Sequence, residues 1–348
     1  MISTTLLSLV RCPECRGRLA PGEDPAIECS ACGRMYAQRQ GFLDLRPEVQ
    51  FDEQTKYLDA ALHADARHER VSPPLLGSRI RNDMLRRFLR PGKDDCVVDL
   101  GCGSGRTLLW NRDRGAAAIG VDIAPYFSNE ALREVDLLLA DLRKLPFADG
   151  TFTKAYSLDV LEHLSPEALR AMLAEAGRVL EPGGLLFVYS HVRKNAPIAR
   201  GLRWINRVVH GLERVGLVDA RQERLRKSDH LNPLADIPEL QAVAAAAGFR
   251  IARIRYYTPL VGGVIENILV RMAERLMARR AARRLPVSAG AGIDGRAIRE
   301  ARAAAKSAIA RSRAVYGVLR ALSFAMKVDL VLFGRVRSGP FFALLQKI

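Results

Sequence analysis

Cys96-Val-Val-Asp99-Leu-Gly101-Cys-Gly103-Ser-Gly105-Arg-Thr-Leu-Leu-Trp110 is a short apolar run, a glycine-rich turn and the opening of a helix. Glycine lets the backbone approach a ligand where a Cβ would collide. The helix that follows offers free N–H groups and a positive dipole end. Gly-x-Gly alone is common to many nucleotide-binding folds. The discriminating residue is Asp99, two positions before the first glycine. A carboxylate there can hold a cationic ligand group but is badly placed beside a pyrophosphate. The Gly-x-Gly-x-x-Gly of dinucleotide sites is also broken, because position 106 is Arg.

Outward from this turn, strands and helices alternate, the pattern of an α/β fold with a parallel sheet. Ala117-Ala-Ile-Gly-Val121 ends in Asp122, about 20 residues on, where an acid can accept hydrogen bonds from ribose hydroxyls. Val135 to Ala140 ends in Asp141-Leu142, and Leu145-Pro-Phe-Ala-Asp-Gly150 follows as a turn. A fourth strand runs into Ser157-Leu-Asp-Val-Leu-Glu-His163-Leu, and a fifth, Leu185 to Ser190, runs into His191. Arg178-Val-Leu-Glu-Pro-Gly-Gly184 lies between them.

In this order and spacing, residues 75–190 resemble the class I, seven-strand methyltransferases that use S-adenosylmethionine. The resemblance implies a doubly wound, mostly parallel, Rossmann-like sheet with helices on both faces. It places Asp99, Gly101, Cys102 and Gly103 at the methionine end of the cofactor, Asp122 at the ribose, and Asp141 with Leu142 at the adenine.

Methyl transfer from a sulfonium needs little chemistry from the protein beyond an in-line nucleophile in a water-poor site. A base is required where the nucleophile carries a proton. Substrates of open α/β sheets lie beyond the carboxyl ends of the strands. That makes Asp159, His163 and His191 candidates, with His191 the preferred base and His163 a corner-organising residue. His230, in Lys227-Ser-Asp-His-Leu-Asn-Pro233, is a further candidate whose bland reading is loop packing. The fourth strand has no Asn-Pro-Pro-Tyr motif, which argues against exocyclic amines of DNA bases. Cys96 and Cys102 belong to the cofactor strand and turn, which leaves no cysteine to attack a pyrimidine.

Two further cysteine pairs stand upstream, Cys12-Pro-Glu-Cys15 and Cys29-Ser-Ala-Cys32. Two facing Cys-x-x-Cys knuckles make a closed tetrahedral sulfur site, which suits structural zinc. Residues 9–46 resemble the zinc-ribbon modules that accompany methyltransferases, including activator subunits of tRNA and protein methyltransferases. A similar ribbon opens one family of ribosomal-RNA guanine methyltransferases. The ribbon is expected to fold with its metal on its own, without affecting the rest.

The chain of 348 residues has a formal charge of +16, and residues 260–348 carry 17 basic residues against 5 acidic ones. Such a basic rear suggests a polyanionic partner, either nucleic acid or an anionic membrane. Val261, Val264, Ile265, Ile268, Leu269, Met272 and Leu276 make an apolar helical stripe, followed or flanked by Arg271, Arg275, Arg279, Arg280, Arg283 and Arg284. Residues 285–295 read as a connector, Arg296 to Arg313 as an Ala- and Arg-rich helix, and Val315 to Met326 as a more apolar helix. A second insertion, 191–233, interleaves Trp204, Ile205 and Val208 with arginines.

The organisation expected is a zinc ribbon over 1–46, a helical lead-in over 47–92 and a methyltransferase core over 93–257. The basic helical insertion spans 258–340, and the last core strand spans 341–348. No stretch is apolar enough to cross a membrane and the start lacks a basic leader, so the expected location is cytoplasmic, peripheral at the inner membrane surface. A surface helix that buries apolar area and faces cations to anionic lipid favours a lipid or lipid-linked acceptor. The alternatives are a ribosomal-RNA or tRNA base and, from another class, a non-catalytic protein that binds RNA or a partner.

Overall fold

The computed structural model describes residues 2–22, 26–39, 41–47, 71–192, 207, 211, 230–231, 234–257, 261–269, 272, 313–337 and 339–348. Strands β5 (Cys96–Leu100), β6 (Ala117–Asp122), β7 (Asp136–Leu139), β8 (Phe152–Leu158) and β9 (Leu180–His191) form a parallel set in the order β7-β6-β5-β8-β9. β10 (Phe249–Tyr256) and β11 (Pro340–Lys347) complete that side. β11 lies between β9 and β10 and is antiparallel to both, with Phe341 opposite Ser190. Helices cover both faces, so the central strands are apolar throughout rather than alternating. The Leu76–Leu89 helix buries Ile80, Met84, Leu85 and Phe88, and Phe88 meets Phe187 edge to face at 5.5 Å. On the other face the Pro166–Val179 helix, capped by Ser165 accepting from the Ala168 N–H, buries Leu169, Met172 and Leu173.

The sheet does not stop at seven strands. β1 (Leu19–Pro21), β2 (Ala26–Cys29), β3 (Met35–Arg39) and β4 (Phe42–Asp44) continue it to eleven. β4 runs parallel to β7, with Leu43 opposite Leu138, and the Leu45 N–H donates to the Leu139 carbonyl at 2.8 Å. The physical reason is that β7 would otherwise be an edge with a row of unpaired backbone groups. Gly41 permits the approach: its φ is +83°, and a Cβ there would stand 2.5 Å from the Leu132 carbonyl oxygen. A Thr4–Leu9 helix adds to the contact, since Ser3 caps it through the Leu6 N–H and donates to Asp136 at 2.6 Å. Leu6, Val10, Leu43 and Leu45 thus join the core beneath β5 and β6. The front of the chain is built onto the sheet, so the module expected to fold on its own shares a sheet and a core with the rest.

At the rear, Val261–Val264 is a short helix that passes into a π-helical turn, Ile265–Leu269. Ile265 is buried while Val264 and Leu269 are exposed, so the stripe is not one regular apolar face over its described part. Arg271, Arg275, Arg279, Arg280, Arg283, Arg284, the 285–295 connector and the helix expected up to residue 312 lie outside the described residues, as do Trp204, Ile205 and Val208. The last helix, Arg313–Phe333, extends beyond its expected end at Met326. It is fixed by its polar residues. Ser323 Oγ accepts from the Leu76 N–H at 2.8 Å, Asp329 accepts from the Val261 N–H at 3.0 Å, and Lys327 pairs with Asp83. Its outer side leaves Val318, Phe324, Val328, Val331 and Leu332 exposed. Among the described residues no helix is long and apolar enough to cross a membrane.

Candidate active site

The carboxyl ends of the parallel strands carry the chemistry-bearing side chains. The turn after β5 holds Gly101, Gly103 and Gly105 at φ of +85°, +53° and +77°, all in the left-handed region that glycine alone adopts cheaply. A Cβ on Gly101 would overlap Val160 at 2.4 Å and one on Gly105 would overlap Ala131 at 2.7 Å, whereas one on Gly103 would meet nothing within 4 Å. Gly103 is therefore the point where the turn faces open space.

Asp122 is locked to that turn. Its carboxylate accepts from the Gly103 N–H at 2.7 Å and from the Ala124 N–H at 3.0 Å. The Gly101 and Cys102 N–H groups both donate to the Val121 carbonyl. Asp99 is 2% exposed, and burial pushes its carboxyl well above the ordinary value; the Asp122 carboxylate adds to this and the Tyr156 hydroxyl opposes it. Burial also raises Asp122, against its backbone donors. A buried acid and a half-buried one beside an open glycine turn suit a ligand that brings positive charge and hydroxyl groups.

The remaining predicted cofactor residues are placed less uniformly. Cys102 sends its thiol into the core, where a Cβ on Gly120 would lie 2.8 Å from its sulfur, so only its backbone lines the turn. Asp141 follows β7 and is held by Arg143, through its N–H at 2.8 Å and an ion pair of 2.8 Å. Leu142 is half-buried against the core.

Across the turn lies the second group. Val160 packs on Gly101, and Glu162 and His163 follow it in a tight helical turn, Leu161–His163. Glu162 is 2% exposed; it accepts from Ser190 Oγ at 2.7 Å and stands 3.4 Å from His191 Nδ1. Burial pushes the Glu162 carboxyl up, but His191 outweighs it and leaves the acid below its ordinary value. His163 meets His230 edge to face at 4.6 Å, and His191 lies 6.3 Å from His230. The three candidate histidines therefore share one corner around a buried acid.

Asp159 heads a neighbouring pair. It is a non-glycine residue at φ +58°, a conformation that Asp tolerates better than most and that often marks a functional site. Its carboxylate lies 3.6 Å from Arg81, whose guanidinium covers the Tyr189 ring at 5.2 Å. Arg81, Glu162 and Tyr189 were missed by the sequence reading. For Glu162 the signal was present, as a lone acid in the apolar run Val160-Leu-Glu-His-Leu164. For Arg81, one arginine of several on its helix, there was none.

The four upstream cysteines also converge. All four sulfurs lie within 4.8 Å of one another, with Cys12 and Cys32 3.8 Å apart and Cys15 and Cys29 3.5 Å apart. A tetrahedron of zinc–sulfur bonds has edges of about 3.8 Å. The donor set fits zinc. Tyr36 Oη lies 2.9 Å from Cys12 Sγ, and the Gly17 N–H donates to Cys15 Sγ at 3.4 Å. Burial pushes the Cys12 thiol up, but Tyr36 and nearby backbone groups outweigh it and bring it down to about 7.

The central part of the chain is similar to known proteins. Residues 98–188, from β5 through most of β9, match the family model described as a methyltransferase domain. This part of the chain is similar to methyltransferase domains. A sterol 4-C-methyltransferase of Caenorhabditis elegans is 36% identical over 107 residues, which is 28% of this chain and 31% of that protein. A probable tRNA methyltransferase 9B of Bos taurus is 33% identical over 108 residues, 30% of this chain and 23% of that protein. A ubiquinone biosynthesis O-methyltransferase of Azorhizobium caulinodans is 28% identical over 225 residues, 58% of this chain and 78% of that protein. The chain spans less than a third of the length of the first two.

Proposed function

We propose that the protein is an S-adenosylmethionine-dependent methyltransferase whose acceptor is a lipid or lipid-linked molecule met at an anionic membrane surface. The observation that carries the methyl-transfer half is the open Gly103 turn flanked by the buried Asp99 and the half-buried Asp122, inside the stretch that matches a methyltransferase domain. Bound there, S-adenosylmethionine would supply a methyl group already activated on a sulfonium. Asp99, Gly101, Gly103 and the Cys102 backbone would hold its methionine end, Asp122 its ribose, and Asp141 with Leu142 its adenine. His191, at the end of β9, is the base proposed to take a proton from the acceptor.

The membrane half rests on the Arg313–Phe333 helix. It leaves Phe324, Val331 and Leu332 about two-thirds exposed on a basic stretch of chain, the combination an interfacial helix needs. Each basic residue near an anionic surface adds about 1 kcal/mol. The similarity to a sterol methyltransferase and to a ubiquinone-pathway O-methyltransferase agrees with an apolar acceptor. An RNA base is the second reading, favoured by the tRNA methyltransferase similarity and the same positive charge. In this proposal the cysteines hold one structural zinc, and the enzyme works in the cytoplasm, peripheral to the inner membrane surface.

The test is incubation with methyl-labelled S-adenosylmethionine and cell extract, followed by separation into lipid, RNA and protein. Label in the lipid fraction is the expected result. Label in RNA transfers the proposal to the second reading, and label in no fraction overturns methyl transfer.

A further inference from the structure

Glu162, His163 and His230 bring one carboxylate oxygen and two imidazole nitrogens within 4.8 Å of one another. They come from distant parts of the chain: the first two follow β8, and the third stands a few residues before the Ile237–Ala246 helix. We propose that these three side chains form a second metal centre, separate from the cysteines, which binds a divalent transition-metal ion and presents it to an oxygen of the acceptor.

Three features of the corner support this. The first is ligand chemistry. Two imidazoles and one carboxylate on one side of an ion, with its other positions open, are the donor set of catalytic zinc and non-haem iron sites. Bonds of about 2.1 Å set neighbouring donors about 3.4 Å apart, so the three groups, which lie within 4.8 Å, would have to close by up to about 1.4 Å around an ion.

The second feature is burial. Glu162 is 2% exposed, and a buried carboxylate is costly unless paired or bound to a metal. The Ser190 hydroxyl takes one of its oxygens. His191 Nδ1 is buried and lies 3.4 Å from the other oxygen. That arrangement orients the carboxylate as outer partners do for metal ligands.

The third feature is position. Val160, two residues before Glu162, packs directly on Gly101 of the open turn. The ion would therefore sit on the same rim as the donor site, at the carboxyl ends of β8 and β9.

An ion at this place favours an acceptor that offers oxygen. Held by Glu162, His163 and His230, such an ion would supply Lewis acidity to a hydroxyl of the acceptor. This part rests on the proposed methyl transfer; the metal site itself does not.

Cobalt(II) separates the two centres in the metal-stripped full-length chain. Thiolate ligation gives an intense sulfur-to-cobalt charge-transfer band, whereas oxygen and nitrogen ligation gives only weak d–d bands. The expectation is two equivalents, one of each kind. His230→Ala, His163→Ala and Glu162→Gln should each lose the weak-band equivalent and keep both the charge-transfer equivalent and S-adenosylmethionine affinity. A wild-type titration with no equivalent of the weak-band kind overturns the proposal. So does survival of that equivalent in all three variants. Metal bound without any methyl transfer would sink the transfer reading and leave this one intact. Full transfer activity in the stripped chain would sink the ion's role in acceptor chemistry.

Discussion

At the scale of single residues, the site holds two carboxyl groups, the buried Asp99 and the half-buried Asp122, whose protonation is favoured by desolvation. Asp99 and Asp122 both have folded values above their ordinary ones. The sign of the linkage follows. A raised carboxyl contributes stability at pH below its unfolded value, and that contribution is lost as pH climbs through the raised folded value. At neutral pH the unliganded protein therefore carries a cost at these positions that a cationic ligand relieves. Asp99→Asn is expected to melt at a higher temperature than the wild type without ligand, with a difference that grows as pH rises. The same change should abolish S-adenosylmethionine binding. Calorimetric melting across a pH series and isothermal titration check the two halves, and full affinity in this variant would remove Asp99 from the donor site. Asp122→Ala loses charge-assisted hydrogen bonds, each worth about 1.5–3 kcal/mol, so affinity should fall roughly 10- to 100-fold. These acids were readable in the sequence because each ends an apolar run that marks its strand. The pairing of Glu162 with His191 and of His163 with His230 was not. It depends on how separate elements meet at one corner, which no local period encodes.

At the scale of elements, the Arg313–Phe333 helix divides its residues between two tasks. Ser323, Met326 and Asp329 face inward and tie it to Leu76 and Val261. Val318, Phe324, Val328, Val331 and Leu332 face solvent. Amphipathic spacing announced a helix here, but spacing cannot tell which side meets the protein. Both sides are apolar enough to serve, and the short polar anchors decide. Replacing the outer residues should leave the fold untouched. Phe324→Glu combined with Val331→Glu is expected to keep the melting temperature, since exposed substitutions usually act within about 0.5 kcal/mol. The same pair should sharply reduce co-sedimentation with anionic vesicles at low salt. Vesicle binding equal to wild type would show that this face is not the membrane contact. Loss of stability would instead mean that the outer face packs on the protein. Strand β4 illustrates the opposite limit of reading. Three residues, Phe42–Asp44, are too few to display a period. Their pairing with β7 depends on an edge that exists only once the sheet has formed.

At the scale of the whole molecule, that same strand changes what metal removal should do. A ribbon tethered by a linker would unfold alone when its metal is taken away. Here β4 is hydrogen-bonded to β7, and Leu6, Val10, Leu43 and Leu45 pack in the same core as Val98 and Val121. Val98 and Val121 belong to β5 and β6, the strands that lead into the glycine turn and Asp122. Loss of the zinc proposed at Cys12, Cys15, Cys29 and Cys32 should thus be felt by the donor site. Binding of a structural metal is folding free energy for the part it closes. If even about 3 kcal/mol of it is shared with the sheet, the melting temperature should drop by roughly 6–12 °C. Differential scanning calorimetry of the chelated protein, and of Cys29→Ser, is expected to give a single transition at lower temperature with weakened S-adenosylmethionine binding. Two transitions, the later one at the wild-type temperature with full affinity, would mean that the ribbon strands lean on the sheet without supporting it. Leu43→Ala separates the two ideas without touching a cysteine. Its side chain is fully buried at the β4–β7 contact, and removing it should cost about 2–5 kcal/mol with the metal still bound.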